Sequence, residues 1–104
     1  RAVRDHLADC TQTLPMLVER RLEPSLHFFI ANLGAMRKHL FPGLHSGYAD
    51  WLERTDWGAL ERLARAGARH WLATAERMLE IHGRHGPAAA TRIAAAVESS
   101  RLGV

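Results

Sequence analysis

DWGALERLARAGARHWLATAERMLEIH, residues 56–82, decides the fold. Leu60, Ala64, Gly67, Trp71, Ala75 and Met78 recur at intervals of three and four, with Leu63, Leu72 and Leu79 flanking them. That period places one apolar stripe along a long amphipathic helix. Thr55-Asp56 precedes the stripe and sets negative charge at the positive end of the helix dipole. Gly83-Arg84-His85-Gly86 followed by Pro87 predicts where it stops. Small residues at 64, 67 and 68, lying between large ones, predict that another helix crosses closely there.

Working outward, almost every window reads as helix. Ala, Leu, Arg and Glu dominate, and no alternating run of β-branched residues offers a strand. Residues 2–11 carry Val3, Leu7 and Cys10 at helical spacing. Thr13 can cap a second helix with Pro15 in its first turn, and Leu14, Leu17, Val18 and Leu22 continue a stripe up to Glu23-Pro24. A third helix, 24–40, has Leu26, Phe29, Ile30, Leu33, Met36 and Leu40 on its apolar face. Phe41-Pro42-Gly43 ends it, and a short helix over 46–54 turns Tyr48, Trp51 and Leu52 inward. An Ala-rich last helix, 87–101, offers Ile93, Ala96, Val97 and Leu102. The expected architecture is an all-α bundle of five to six helices whose core contains Leu26, Phe29, Ile30, Leu33, Trp51, Leu60, Trp71 and Met78.

Composition agrees. The chain has 104 residues, 47% apolar and 24% charged, close to an average soluble domain and enough for a single core spanning 1–104. Low-complexity disorder, collagen and a disulfide scaffold are excluded. No apolar run is long enough to span a bilayer and nothing resembles a signal peptide. The single cysteine, Cys10, has no internal partner, which fits a reducing compartment and a cytoplasmic location. The chain opens on Arg1 rather than Met and reads as a piece of something longer. Fourteen basic residues, only one of them Lys, face eleven acidic ones, for a net charge of +3. The arginines alternate with acids, as in Glu61 with Arg65, which reads as a salt-bridged helix surface rather than a nucleic-acid footprint.

No phosphate loop, nucleophile elbow or His-Glu-x-x-His pair is present, so no enzyme activity is expected. His6 and Cys10 share a helix face, compatible with a Cys–His nucleophile or with a small buried thiol. Asp5 and Asp9, one turn apart, are compatible with a shared cation or with a solvated helix start. His27 and His39 flank the third helix. His70 falls at the edge of the long stripe, as a ligand or as a half-buried polar tip. His82 and His85 suit the negative end of a helix dipole.

In order along the chain, Asp9, Glu23-Pro24-Ser25-Leu26, His45, Thr55-Asp56 and His70 resemble the pattern of the FCD-type effector-binding domain of bacterial GntR-family transcription regulators. Thr13 stands where that pattern has a histidine. The resemblance implies a dimeric ligand-sensing domain. Asp9, His45 and His70 would hold a divalent zinc, nickel or manganese ion, and a small organic acid would serve as effector. A second resemblance is to bacterial globins. Phe28-Phe29, Met36-Arg37 and Leu40-Phe41-Pro42 look like that fold's early helices, and the run Leu63 to His70 looks like the approach to a proximal histidine. It implies haem bound through His70. The third reading is a helical protein–protein interaction domain without ligand. On all three, a homodimer is expected, with no nucleic acid contacted by this chain and no membrane.

Overall fold

Residue for residue, the long stripe forms a helix of 29 residues, α6 (Trp57–His85). At about 1.5 Å per residue it spans about 43 Å, nearly the full 45 Å long axis of a particle only 21 by 19 Å in cross-section. A computed structural model describes residues 1–103. Among them the order is α1 (Ala2–Ala8), a π turn (Asp9–Thr13), α2 (Leu14–Glu19), α3 (Glu23–Ala31), α4 (Ala35–Leu40), α5 (Pro42–Arg54), α6, a 3-10 turn (Gly86–Ala88) and α7 (Ala89–Ser99). α1, α2, α5 and α7 pack against α6, while α3 packs on α2 and α4 on α1 and α5. There is no strand among the described residues, and the fold is an all-α bundle.

Four boundaries differ from those read in the sequence. Thr13 caps nothing: it is itself helical and α1, the π turn and α2 form one rod. Pro15 explains the π turn, because its ring lacks an N–H and needs room one turn back, which an extra residue supplies. The helix expected over 24–40 breaks at Asn32–Gly34. There the Asn32 amide and its own N–H both bond to the Phe28 carbonyl, at 2.8 and 3.1 Å. Gly34 is extended ahead of α4. The break turns Met36 to solvent, while Phe28 is exposed as well. α5 starts at Pro42 rather than 46, as suits a proline in a first helical turn. Gly83 does not end α6; Gly86 does, at φ +54°, where a side chain would be strained.

α1 and α2 run antiparallel to α6, and α7 folds back along α6 as the other arm of a hairpin. Leu26, Ile30, Leu33, Trp51, Leu60 and Trp71 are buried as expected, with Phe29 and Met78 packed at the margin. Leu52, expected inward, is exposed. Asp56 caps α6 by accepting the Ala59 N–H at 3.2 Å. Past α7 the chain straps the α4–α5 junction. The Leu102 N–H donates to the Leu40 carbonyl at 2.8 Å, the Leu102 carbonyl accepts the Gly43 N–H at 3.0 Å, and Arg101 Nε donates to the His39 carbonyl at 2.8 Å. Among the described residues, no helix is long and apolar enough to cross a membrane.

The close crossing foreseen at the small residues of α6 occurs at Gly67. A Cβ there would lie 2.5 Å from Cys10 Sγ and 3.2 Å from the Phe41 ring. Gly67→Ala is therefore expected to lower unfolding stability by about 1–3 kcal/mol through overpacking. Gly83, inside the same helix with nothing within 4 Å of its would-be Cβ, is the control. Gly83→Ala should stabilise by about 0.5–1 kcal/mol. Urea denaturation of the two variants reads both signs.

Candidate functional site

The bundle's polar interior lies where α1, the π turn, α4 and α6 meet. His6 sits in the apolar stripe of α1, one turn from Val3 and from Cys10, so it is carried inward with them and is fully buried. Its ring stacks on Trp71, with centroids 5.1 Å apart, and meets the Phe41 ring edge-on at 5.3 Å. Nε2 lies 2.9 Å from the Arg37 carbonyl. A carbonyl can only accept, so Nε2 carries the proton and donates. One residue supplies both halves of the junction, since the Arg37 guanidinium pairs with the Asp9 carboxylate on the π turn, both mostly shielded from solvent.

Burial decides the chemistry. Desolvation pushes the His6 imidazole down to about 4, aided by the Arg37 charge and opposed by the hydrogen bond to the Arg37 carbonyl and by Asp5. Burial likewise pushes the Cys10 thiol up to about 12. A neutral imidazole beside a protonated thiol is no nucleophilic pair, because thiolate formation needs a positive, solvated surrounding. His6 and Cys10 serve as packing. Desolvation also lowers Arg37, against the opposing charge of Asp5.

The three expected metal ligands are not brought together. Asp9 is spent on Arg37. His45 is exposed on α5. His70 is half-buried against α7, where its Nε2–H donates to the Ser100 carbonyl at 2.6 Å and its ring meets Trp71 edge-on at 4.7 Å. Among the described residues no group of three or more His, Cys, Asp or Glu side chains is placed to hold a metal ion. The physical reason is direction: Asp9 faces α4 and His70 faces α7, on different sides of α6. His70 as a haem ligand would have to give up Ser100. It borders an open hollow of about 270 Å³ lined in part by Thr74, Ser99 and Arg77, not an enclosed apolar slot.

His39, exposed, meets Glu98 at 2.7 Å and ties α4 to α7. At the other end of the bundle His27 Nδ1 accepts the Tyr48 hydroxyl at 2.5 Å, and a row of Tyr48, Trp51 and Trp57 closes α5 onto the start of α6. The Arg21 guanidinium lies 5.4 Å over Trp57. The residues that sequence reasoning undervalued are His6 and Arg37. A signal for His6 existed in its place on the face of Val3 and Cys10. Arg37 left none, because its carbonyl and guanidinium act across elements.

Over residues 1–100 the chain matches a family of unknown function (DUF6866), in its C-terminal domain, and it belongs to that family. The match does not link it to FCD-type regulators or to globins. No curated protein and no solved structure matches it.

Unfolded His6 titrates near 6.5 and folded His6 near 4, so between these values the unfolded chain binds more protons. His6's contribution is thus complete above the upper value, falls as the pH drops through the window, and stops falling below the lower one. The whole span is worth about 3 kcal/mol. His6→Leu should flatten this slope without orphaning the Arg37 carbonyl, which also accepts the Phe41 N–H at 3.1 Å. Denaturant midpoints measured across the window check it. Cys10 should resist a disulfide-exchange reagent at about pH 8, near the ordinary thiol range, until urea unfolds the domain. Rapid labelling of the native protein would contradict the burial.

Proposed function

We propose that this domain is a non-catalytic helical interaction module that pairs with a second copy of itself through the leucine-bearing face of α6. One observation carries this reading. Leu72 and Leu79 are 51% and 73% exposed, and Leu79 borders an apolar hollow of about 270 Å³ with Val3, Ala75 and Met78, rimmed by Arg1 and Arg4. Large apolar side chains gathered at one hollow mark an interaction surface more than scattered ones do.

The spacing argues for a helix as occupant. The two leucines are seven residues apart, two turns of helix and about 10.5 Å. Ala68 and Ala75 alternate with them in a three-and-four pattern, as in the seam of a coiled coil. A second α6 carries the same pattern, and a two-fold pairing lets each leucine enter the hollow beside the other copy's alanines. The family's description as a C-terminal domain supports the picture of a module serving a longer protein.

This keeps the dimerisation half of the regulator reading and sets aside its interior ligand. The space between α1, α4 and α6 is filled by His6, Phe41 and Trp71, which leaves the effector no central cavity. It equally gives no support to a haem sensor.

Sedimentation velocity up to high micromolar concentration tests the proposal. The domain should sediment as a dimer, and Leu79→Glu should yield a monomer with an unchanged circular dichroism spectrum. A strict monomer, or a dimer untouched by Leu72→Glu and Leu79→Glu, would refute it.

A further inference from the structure

On the side of α6 away from the leucines, the hairpin with α7 leaves a trough of about 610 Å³. Its origin is in the sequence. α7 presents Ala95 and Ala96 toward α6, and side chains that small cannot fill the space opposite a long helix. The floor is Ile81 and these alanines, and the walls carry Arg77, Arg84 and Arg92. Arg77, Ala96 and Ser99 continue into the hollow that holds His70 and Thr74, so the two form one channel along the hairpin.

The charge of this channel is one-sided. Glu80 is the one carboxylate among the residues lining it, and it is engaged with Arg84 at 3.1 Å. Among the described residues, Arg77 and Arg92 make no salt bridge. Three guanidinium groups thus converge on a groove with one carboxylate, and His85 adds a further donor at its end. Among the described residues, arginines without a salt bridge also stand elsewhere on the surface, Arg4, Arg54 and Arg69 among them; what sets Arg77 and Arg92 apart is that they border one trough together with Arg84.

We infer that the α6–α7 trough is a binding site for a small organic polyphosphate or phosphate ester. Its volume lies in the range of small-molecule sites, roughly 300–1,000 Å³. Arg77 and Arg84 stand two turns apart on one helix, about 10.5 Å along its axis, with Arg92 facing them from α7. That spacing suits a ligand with several anionic groups in a row better than a single anion. Guanidinium forks bind phosphate oxygens two at a time. The Ile81 and alanine floor accommodates the ligand's apolar part. The site is independent of the pairing proposed for the leucine face, because the two lie on opposite sides of α6.

Inorganic tripolyphosphate is the probe, titrated into the protein at low salt and followed by amide NMR. It should shift the amides of Ala95, Ala96 and Ser99. The double variant Arg77→Gln/Arg92→Gln should weaken binding at least tenfold, whereas Arg62→Gln, a distant basic residue, should leave it unchanged. Citrate should bind more weakly than tripolyphosphate. The inference is overturned by any of four results: no saturable binding, binding that survives the double variant, shifts spread over all arginine-bearing helices, or citrate binding the tighter. A short single-stranded oligonucleotide that binds through the same arginines where tripolyphosphate does not would overturn it in favour of a nucleic-acid surface.

Discussion

The approach of the π turn to α6 at Gly67 is the constraint on which the rest depends. Only a glycine lets Cys10 and the Phe41 ring come so near the backbone of α6. That proximity sets how deep α1 lies, and the depth places His6 flat on Trp71 with its Nε2–H directed at α4. α4 is a six-residue helix with no side-chain cap and could not hold its place alone. It is fixed from one side by His6 and Asp9 and from the other by the strap through Arg101 and Leu102. The long helix supplies length, but the Gly67 crossing supplies register.

A buried polar cluster of this kind is costly unless its members find partners. Here the costs are offset unevenly. His6 donates once and is kept neutral, so its burial is that of an aromatic ring with one hydrogen bond. Arg37 keeps its charge and shares it with Asp9, while its carbonyl takes two donors, the His6 ring and the Phe41 N–H. Such an arrangement specifies which face of α4 meets α1, since a slipped helix would leave a cation and a carboxylate unpaired in a half-buried place. The same arrangement removes the chemistry that His and Cys on one face would otherwise suggest, because a desolvated pair of neutral groups lacks both base and nucleophile.

Much of the fold was legible in residue spacing, and the site was not. The stripe on α6, its Asp56 cap and the close crossing at its small residues are local facts of period and size, and local facts survive folding. The breaks were harder. Asn32 and Gly34 interrupt what the spacing of Leu26, Ile30, Leu33 and Leu40 describes as one helix, because a side-chain amide competing for the Phe28 carbonyl is invisible to periodicity. Pro15 looked like a helix start because a proline inside a helix normally breaks it, and the π turn that absorbs it has no signature in the sequence. The ligands Asp9, His45 and His70 were chosen for residue type and order alone. Which way each points depends on α4 and α7, and no spacing within one segment carries that information. Leu72 and Leu79 lay on the flanks of the stripe, and only the position of α1 shows that they remain uncovered.

α6 therefore has three faces with three tasks: an apolar one that holds α1 and α2, a leucine-bearing one left open beside it, and a basic one that forms a trough with α7. The third follows from the small side chains of α7; the first two follow from the way α1 is seated at the Gly67 crossing, and the place of His6 on Trp71 reports that seating. Long-range nitrogen–proton NMR correlations of the seven histidine rings, recorded between the folded value of about 4 and the unfolded value of 6.5, test it most directly. The account predicts that the His6 ring stays neutral there, with its proton on Nε2. A His6 ring that becomes imidazolium within this window, or that carries its proton on Nδ1, would contradict the seating of α1 on which the structure depends.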